Sequence, residues 1–406
     1  MYKIFWARVG GVSILNITDQ LLQVGFIVML SRTCTLELMG TYLTLTVTWT
    51  LGEMAVDFGL NPILIKESAK QGILPLVLAN VQFVKGLSWA IVSCIGILFF
   101  CLFKPVAIYV IVSTIVIVGL RSMMNSLSAL MAGQNKAEKV SLCLMIMRMT
   151  TVIPTWFVLT FYHSIFCVIL IHFIGTLVII YTLWNELGIQ RLSHFFKFER
   201  VGCYNVLKES AAVGLAWTGT YLLFYQPLFW LKIINSKQAA LYGVAVRGLE
   251  FLLIPANALL VILLPYLSSH SNQNTRSILI RHIHYGILAL LILDMFIFQW
   301  FPDLTLFTYI SVKLSPFNTE IKYLLLGASL IGILQVFHLI LFTEKLLTHA
   351  LPYLLVSNTM IFSLFSFALN HSDRFDLSIS LKLLSVQTAL TILMTLLVKQ
   401  KSQVLQ

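Results

Sequence analysis

The chain has 406 residues, of which 59% are hydrophobic and only 11% charged, and its mean hydropathy is +0.91. An average globular domain carries about 25% charged residues, so no water-soluble fold could bury this much apolar side chain. Nor does the net charge of +11 mark a nucleic-acid binder. Such proteins gather their basic residues on one exposed face, whereas here they fall in short stretches between apolar runs, the distribution that orients a protein in a membrane.

A helix crossing about 30 Å of hydrocarbon at 1.5 Å per residue needs about 20 mostly apolar residues. Segments of that kind are predicted at 9–31, 38–62, 74–98, 105–122, 141–162, 165–185, 210–231, 240–265, 284–302, 323–342, 350–369 and 378–398. The fold class is therefore an all-α polytopic membrane protein of about 12 transmembrane helices. Lys3 and Arg8 precede the first segment, and no small-residue cleavage site follows it, so it reads as an uncleaved helix. The fourth and fifth segments are the least sharply divided: Gly133, Gln134, Asn135, Lys136, Glu138 and Lys139 interrupt the apolar run around 119–150.

With the N-terminus placed in the cytoplasm, 17 basic residues, Arg121 and Arg148 among them, sort to the inside or its edge and 7 to the outside. Lys85, Arg247 and Lys382 fall within segments. This bias predicts that both termini are cytoplasmic. The most hydrophilic stretch, about 186–209, mixes Arg, Lys and Glu with Leu, Phe and Ile. It divides the chain into an N-terminal bundle (1–190), an amphipathic cytoplasmic connector (191–209) and a C-terminal bundle (210–406), although a plain surface loop would look similar. No loop is large enough to hold an enzyme domain. The halves echo each other at an offset of 200 residues, Tyr42 against Tyr242 and Asp57 against Asn257, as expected of a two-repeat transporter.

Polar residues inside apolar segments are the candidates for function. In the first segment Asn16, Asp19, Gln20 and Gln23 share one helical face; in the second, Thr46, Thr50, Glu53, Asp57 and Asn61 do the same. The seventh offers Trp217, Tyr221, Tyr225 and Gln226, and the eighth Gly243, Arg247, Glu250 and Asn257. An ionised group at mid-membrane costs about 2.5–3.5 kcal/mol, so Asp19, Glu53, Arg247 and Glu250 require a hydrated cavity or a partner. Arg247 and Glu250, three apart, can neutralise each other; Asp19 and Glu53 have no basic neighbour in their own helix, which favours a cavity. Asn61 is expected to cap a short helix beginning at Pro62, and Lys85 either lines the cavity or reaches back toward the cytoplasm. The six cysteines form no C-x-x-C pair and the nine histidines no ligand pattern, so neither disulfides nor a metal site is expected. Nucleophile-elbow, phosphate-loop and zinc-protease motifs are absent, and no cofactor is expected.

Two stretches carry a family resemblance. Leu30 to Tyr42 (LSRTCTLELMGTY) with Asp57 to Glu67 (DFGLNPILIKE), and in the second half Trp230 to Arg247 (WLKIINSKQAALYGVAVR) with Ile262 to Ser269 (ILLPYLSS), resemble the O-antigen and polysaccharide flippases. That family lies within the multidrug/oligosaccharidyl-lipid/polysaccharide exporter superfamily. Met39 stands where the family usually has an aromatic.

The resemblance implies two six-helix bundles around a central cavity in a bacterial inner membrane. The cargo would be an undecaprenyl-pyrophosphate-linked oligosaccharide moving among membrane lipids, with a polysaccharide polymerase and a chain-length regulator as partners and no nucleic acid. On this reading Trp217, Tyr221 and Tyr225 face sugar, Asn16 lines the cavity, and Arg8, Lys85 and Arg247 meet the pyrophosphate. Asp19, Glu53 or Glu250 would carry a coupling proton or sodium ion. In these stripes carboxylates outnumber basic groups. A drug antiporter of the same superfamily would share the fold, and a membrane-embedded glycosyltransferase or O-antigen polymerase would need a larger periplasmic loop than 303–322 offers.

Overall fold

The computed structural model describes residues 2–71, 75–103, 108–188, 198–211, 213–215, 225, 228, 243 and 261–265. The predicted segments beyond 265, and the second-half partners in the repeat, Tyr242 and Asn257, lie outside these residues. The described chain folds into α1 (Tyr2–Thr33), α2 (Leu36–Asp57), α3 (Leu60–Gln71), α4 (Pro75–Phe103), α5 (Ile108–Gly133), α6 (Ala137–Phe157) and α7 (Ile165–Leu187). A further connector helix covers 200–211, and 213–215 are also helical.

Five stretches, Gly10–Thr33, Leu76–Leu98, Ile108–Gly133, Ala137–Tyr162 and Ile165–Leu187, are long and apolar enough to cross a membrane. Their outer faces suit lipid. On α4, Leu87, Ile91, Ile95 and Leu98 form one stripe and each is more than half exposed, an arrangement water would penalise and acyl chains accept. The helix α2 instead sits inside, packed against α4 and α5, with Met39, Leu43, Val47, Trp49 and Val56 all buried. Because lipid is as apolar as leucine, burying these side chains gives little hydrophobic gain; close packing and polar contacts must hold the bundle. Glycines supply the close packing: a Cβ on Gly175 of α7 would lie 2.6 Å from Thr151 Cγ2 of α6.

Local chemistry sets the breaks. Thr35 opens α2 by accepting the Leu38 N–H at 3.3 Å. The predicted second span, 38–62, is in fact two helices, because Phe58 (φ 39°) and Gly59 (φ 77°) turn left-handed between them. Asp57, rather than Asn61, caps α3, its Oδ1 accepting the Asn61 N–H at 3.2 Å.

The predicted division of 105–122 from 141–162 also changes. α5 continues to Gly133 and α6 starts at Ala137. The turn between them closes with Asn135 left-handed (φ 62°) and the Lys136 N–H returning to Met131 O at 2.9 Å. Arg121 and Arg148, sorted from the sequence to the inner edge, therefore lie in mid-helix. Without them the basic bias is 15 to 7, in the same direction. Farther along α6, Pro154 interrupts the bonding ladder and the helix widens into a π-turn at Val158–Tyr162.

Candidate functional site

Two charged layers lie inside the first half. In the first, Glu53 of α2 meets Arg121 of α5: Nη1 donates to Oε1 at 2.9 Å, and Asn125 Nδ2 donates to Oε2 at 3.2 Å. The guanidinium lies 5.0 Å from the centre of the Trp49 ring, and its Nη2 is 3.5 Å from Nδ1 of the buried His172 on α7. One arginine thus answers a carboxylate, an aromatic face and an imidazole, which its planar fork can do and a lysine cannot. In the second layer Asp19 of α1 accepts from Arg148 Nε of α6 at 3.2 Å and from Gln23 Nε2 at 3.1 Å.

Between the layers is a cavity of about 70 Å³ reached by Gln23, Tyr42, Thr46, Arg121, Arg148 and His172. At 10–15 Å³ of such space per molecule it holds about five waters; a sugar ring does not fit. The threonines of α2 are committed locally: Thr44, Thr46, Thr48 and Thr50 each donate to a carbonyl three or four residues back. The polar stripe read from the sequence is therefore narrower in practice, reduced mainly to its carboxylates.

A third cluster sits at the α2–α3 joint. Lys85 of α4, 3% exposed, places Nζ 2.8 Å from Asp57 Oδ1, 2.7 Å from Asn61 Oδ1 and 2.8 Å from Ser126 Oγ of α5. It points neither to an open cavity nor back toward the cytoplasm.

The predicted site residues are thus dispersed. Asp19 and Glu53 belong to the two layers, and Asn16 lies one turn before Asp19 on α1. Arg8 is eleven residues before Asp19, roughly 16 Å along the helix. It borders a separate recess with Val12, Asn135, Glu138, Ile262 and Pro265. Tyr225 is 2% exposed and offers no open ring face here. Trp217, Tyr221, Arg247 and Glu250 lie outside the described residues. Among those described, every carboxylate of the α1 and α2 stripes has its own cation from another helix, so the apparent excess of acid closes. Arg121, Arg148, His172, Asn125 and Ser126 were not singled out as functional from the sequence. The available signal was an arginine in the middle of an apolar run, which marks an intramembrane partner as readily as a helix end.

The family model for polysaccharide biosynthesis proteins matches residues 5–271. The chain belongs to that family. This bears out the resemblance read from the motif stretches. The fold is that of solved MATE transporters. The outward-facing structure of a multidrug resistance MATE family transporter of the MOP superfamily aligns with 98% of this chain and 96% of its own, at TM-score 0.61 and 14% identity. The eukaryotic MATE transporter AtDTX14 aligns over 98% and 95% at TM-score 0.68 and 14% identity. The Vibrio cholerae transporter VcmN aligns over 100% and 96% at 0.65 and 12% identity. No curated protein sequence matches the chain. This member of the polysaccharide biosynthesis family is a multi-pass membrane protein.

Proposed function

We propose that the chain is a flippase carrying undecaprenyl-pyrophosphate-linked O-antigen or polysaccharide repeat units from the cytoplasmic to the periplasmic leaflet of a bacterial inner membrane. Two six-helix halves would alternate in opening to each side, drawing on a proton or sodium gradient. The observation that carries this reading is the conjunction of a polysaccharide biosynthesis family with a transporter fold along the whole chain.

The charged layers supply the coupling. Asp19 or Glu53 can accept a proton or sodium ion only by loosening its hold on Arg148 or Arg121, so ion binding on α1 or α2 changes what α5 and α6 are bonded to. Glu250 is the matching candidate in the second half. Trp217, Tyr221 and Tyr225 are proposed to face sugar, with Asn16 on the cavity wall and Arg8, Lys85 and Arg247 serving the pyrophosphate; Lys85 must first exchange Asp57 for the cargo. A polymerase and a chain-length regulator would take the product.

The test is complementation. Expressed in a strain lacking its own flippase, the chain restores surface polysaccharide. If it restores none, with the protein verified in the membrane, the proposal falls. The likeness to a multidrug resistance transporter favours one alternative, a drug antiporter; increased drug or dye tolerance without polysaccharide would establish it instead.

A further inference from the structure

The connector helix was expected to join two independent bundles. Its contacts say more. Asn80 of α4, buried, holds its start: Oδ1 accepts the Glu199 N–H at 2.8 Å and faces Cys203 Sγ at 3.5 Å. Gly202 must be glycine there, because a Cβ would collide with the Asn80 amide. Before the helix, Phe198 stacks on Phe83 of α4 with ring centres 4.0 Å apart and planes 18° from parallel.

Farther along, Glu209 pairs with Lys66 of α3. Cys203 joins the apolar cluster of Leu64, Leu78, Val81, Leu130 and Leu183. At the far end Gly214 lies against the left-handed α2–α3 joint: a Cβ on Gly59 would sit 2.6 Å from Gly214 N, and one on Gly214 would strike Phe58 O. Two backbones at this separation interlock, leaving no layer of side chains over which they could slide.

Residues of the second half that lie farther on touch the first half differently. Val261, Ile262 and Pro265 face Arg8, Val12 and Glu138 across a recess, and among the described residues no hydrogen bond or ion pair is seen across it. An apolar contact around a gap separates readily; a glycine interlock flanked by an amide clamp and an ion pair does not.

We propose that the connector helix, through residue 215, is a fixed part of the first half, and that the boundary between the moving units lies beyond it, not at residue 210. The first strokes of the second half would then be anchored on the α2–α3 joint, where Lys85 and Asp57 also meet. This rests on the alternating-access reading above.

Cross-linking tests it. In the full-length chain with its own six cysteines replaced, cysteine pairs are introduced as Lys66→Cys with Glu209→Cys, Phe83→Cys with Phe198→Cys, and Val12→Cys with Ile262→Cys, and each is bridged by a bis-maleimide in cells. The first two bridges are expected to leave flipping within about twofold of the unbridged protein, while the third, which ties the halves together, reduces it at least about tenfold. Loss of flipping on bridging either of the first two pairs overturns the proposal. Should the unbridged chain flip nothing, the flippase reading fails separately. Spin labels at 66 and 209 in lipid nanodiscs then decide this one: a single narrow distance at acidic and neutral pH supports it, and two populations overturn it.

Discussion

Replacing Lys85 by methionine removes the cation that Asp57, Asn61 and Ser126 share, while keeping much of the side-chain volume. In the folded protein the lysine is 3% exposed and its partner carboxylate 15%, so water cannot fully replace the lost charge. Stranding one member of a buried pair costs about 3–5 kcal/mol. A stranded carboxylate can escape by binding a proton, which from the usual aspartate value of about 3.9 costs roughly 4 kcal/mol at pH 7. The expected loss is therefore about 3–4 kcal/mol, and at about 2–4 °C per kcal/mol for a unit of 150–250 residues the thermal midpoint in detergent falls by roughly 6–16 °C.

Two signatures separate this from simple loss of packing. Adding Asp57→Asn to Lys85→Met recovers at least about half the loss, because the stranded charge is gone. The penalty also shrinks on acidification: the variant takes up a proton on folding, so its deficit falls by about 1.4 kcal/mol per pH unit, to roughly 1.5 kcal/mol at pH 5. A Lys85→Met protein melting within about 2 °C of the parent at pH 7, or showing a deficit independent of pH, would refute the reasoning.

The coupling role is tested by Asp19→Asn together with Glu53→Gln, which should leave the protein folded and lower gradient-driven flipping at least about tenfold; unchanged flipping removes both carboxylates from the mechanism. Arg121→Lys keeps the charge but cannot serve Glu53, Trp49 and His172 at once, so a stability loss of about 1–2 kcal/mol is expected in a detergent melt, and parental stability would show that the fork geometry is immaterial. Gly175→Leu forces a side chain into Thr151 Cγ2, 2.6 Å from the ideal Cβ, and should cost about 1–3 kcal/mol. Its control is Gly10→Ala, whose Cβ meets nothing within 4 Å; equal effects of the two would dismiss the packing argument.

Much of the first half could be read from the amino-acid sequence because a 30 Å apolar slab imposes a length that composition reveals. The family was equally legible in the stretches around Gly40 and Asp57. The helix ends were not. Hydropathy is a sliding average and passes over a break made by two backbone angles, as at Phe58 and Gly59, while an arginine in an apolar run lowers the average and imitates an end, as at Arg121. The acidic members of the charged layers stood out because they share helical faces on α1 and α2. Their cations come from α4, α5 and α6, far along the chain, and only the folded bundle brings them together. Lys85 shows the same limit: its position in a span was visible, but not the three oxygens around it.

The most direct measurement is translocation in vesicles of purified protein and lipid. With a fluorescent undecaprenyl-pyrophosphate oligosaccharide placed in one leaflet and an ion gradient imposed, the account predicts that the labelled sugar becomes accessible on the opposite side at a rate proportional to the protein present. Sugar that stays in its original leaflet, while a cationic dye crosses the same vesicles, would contradict it.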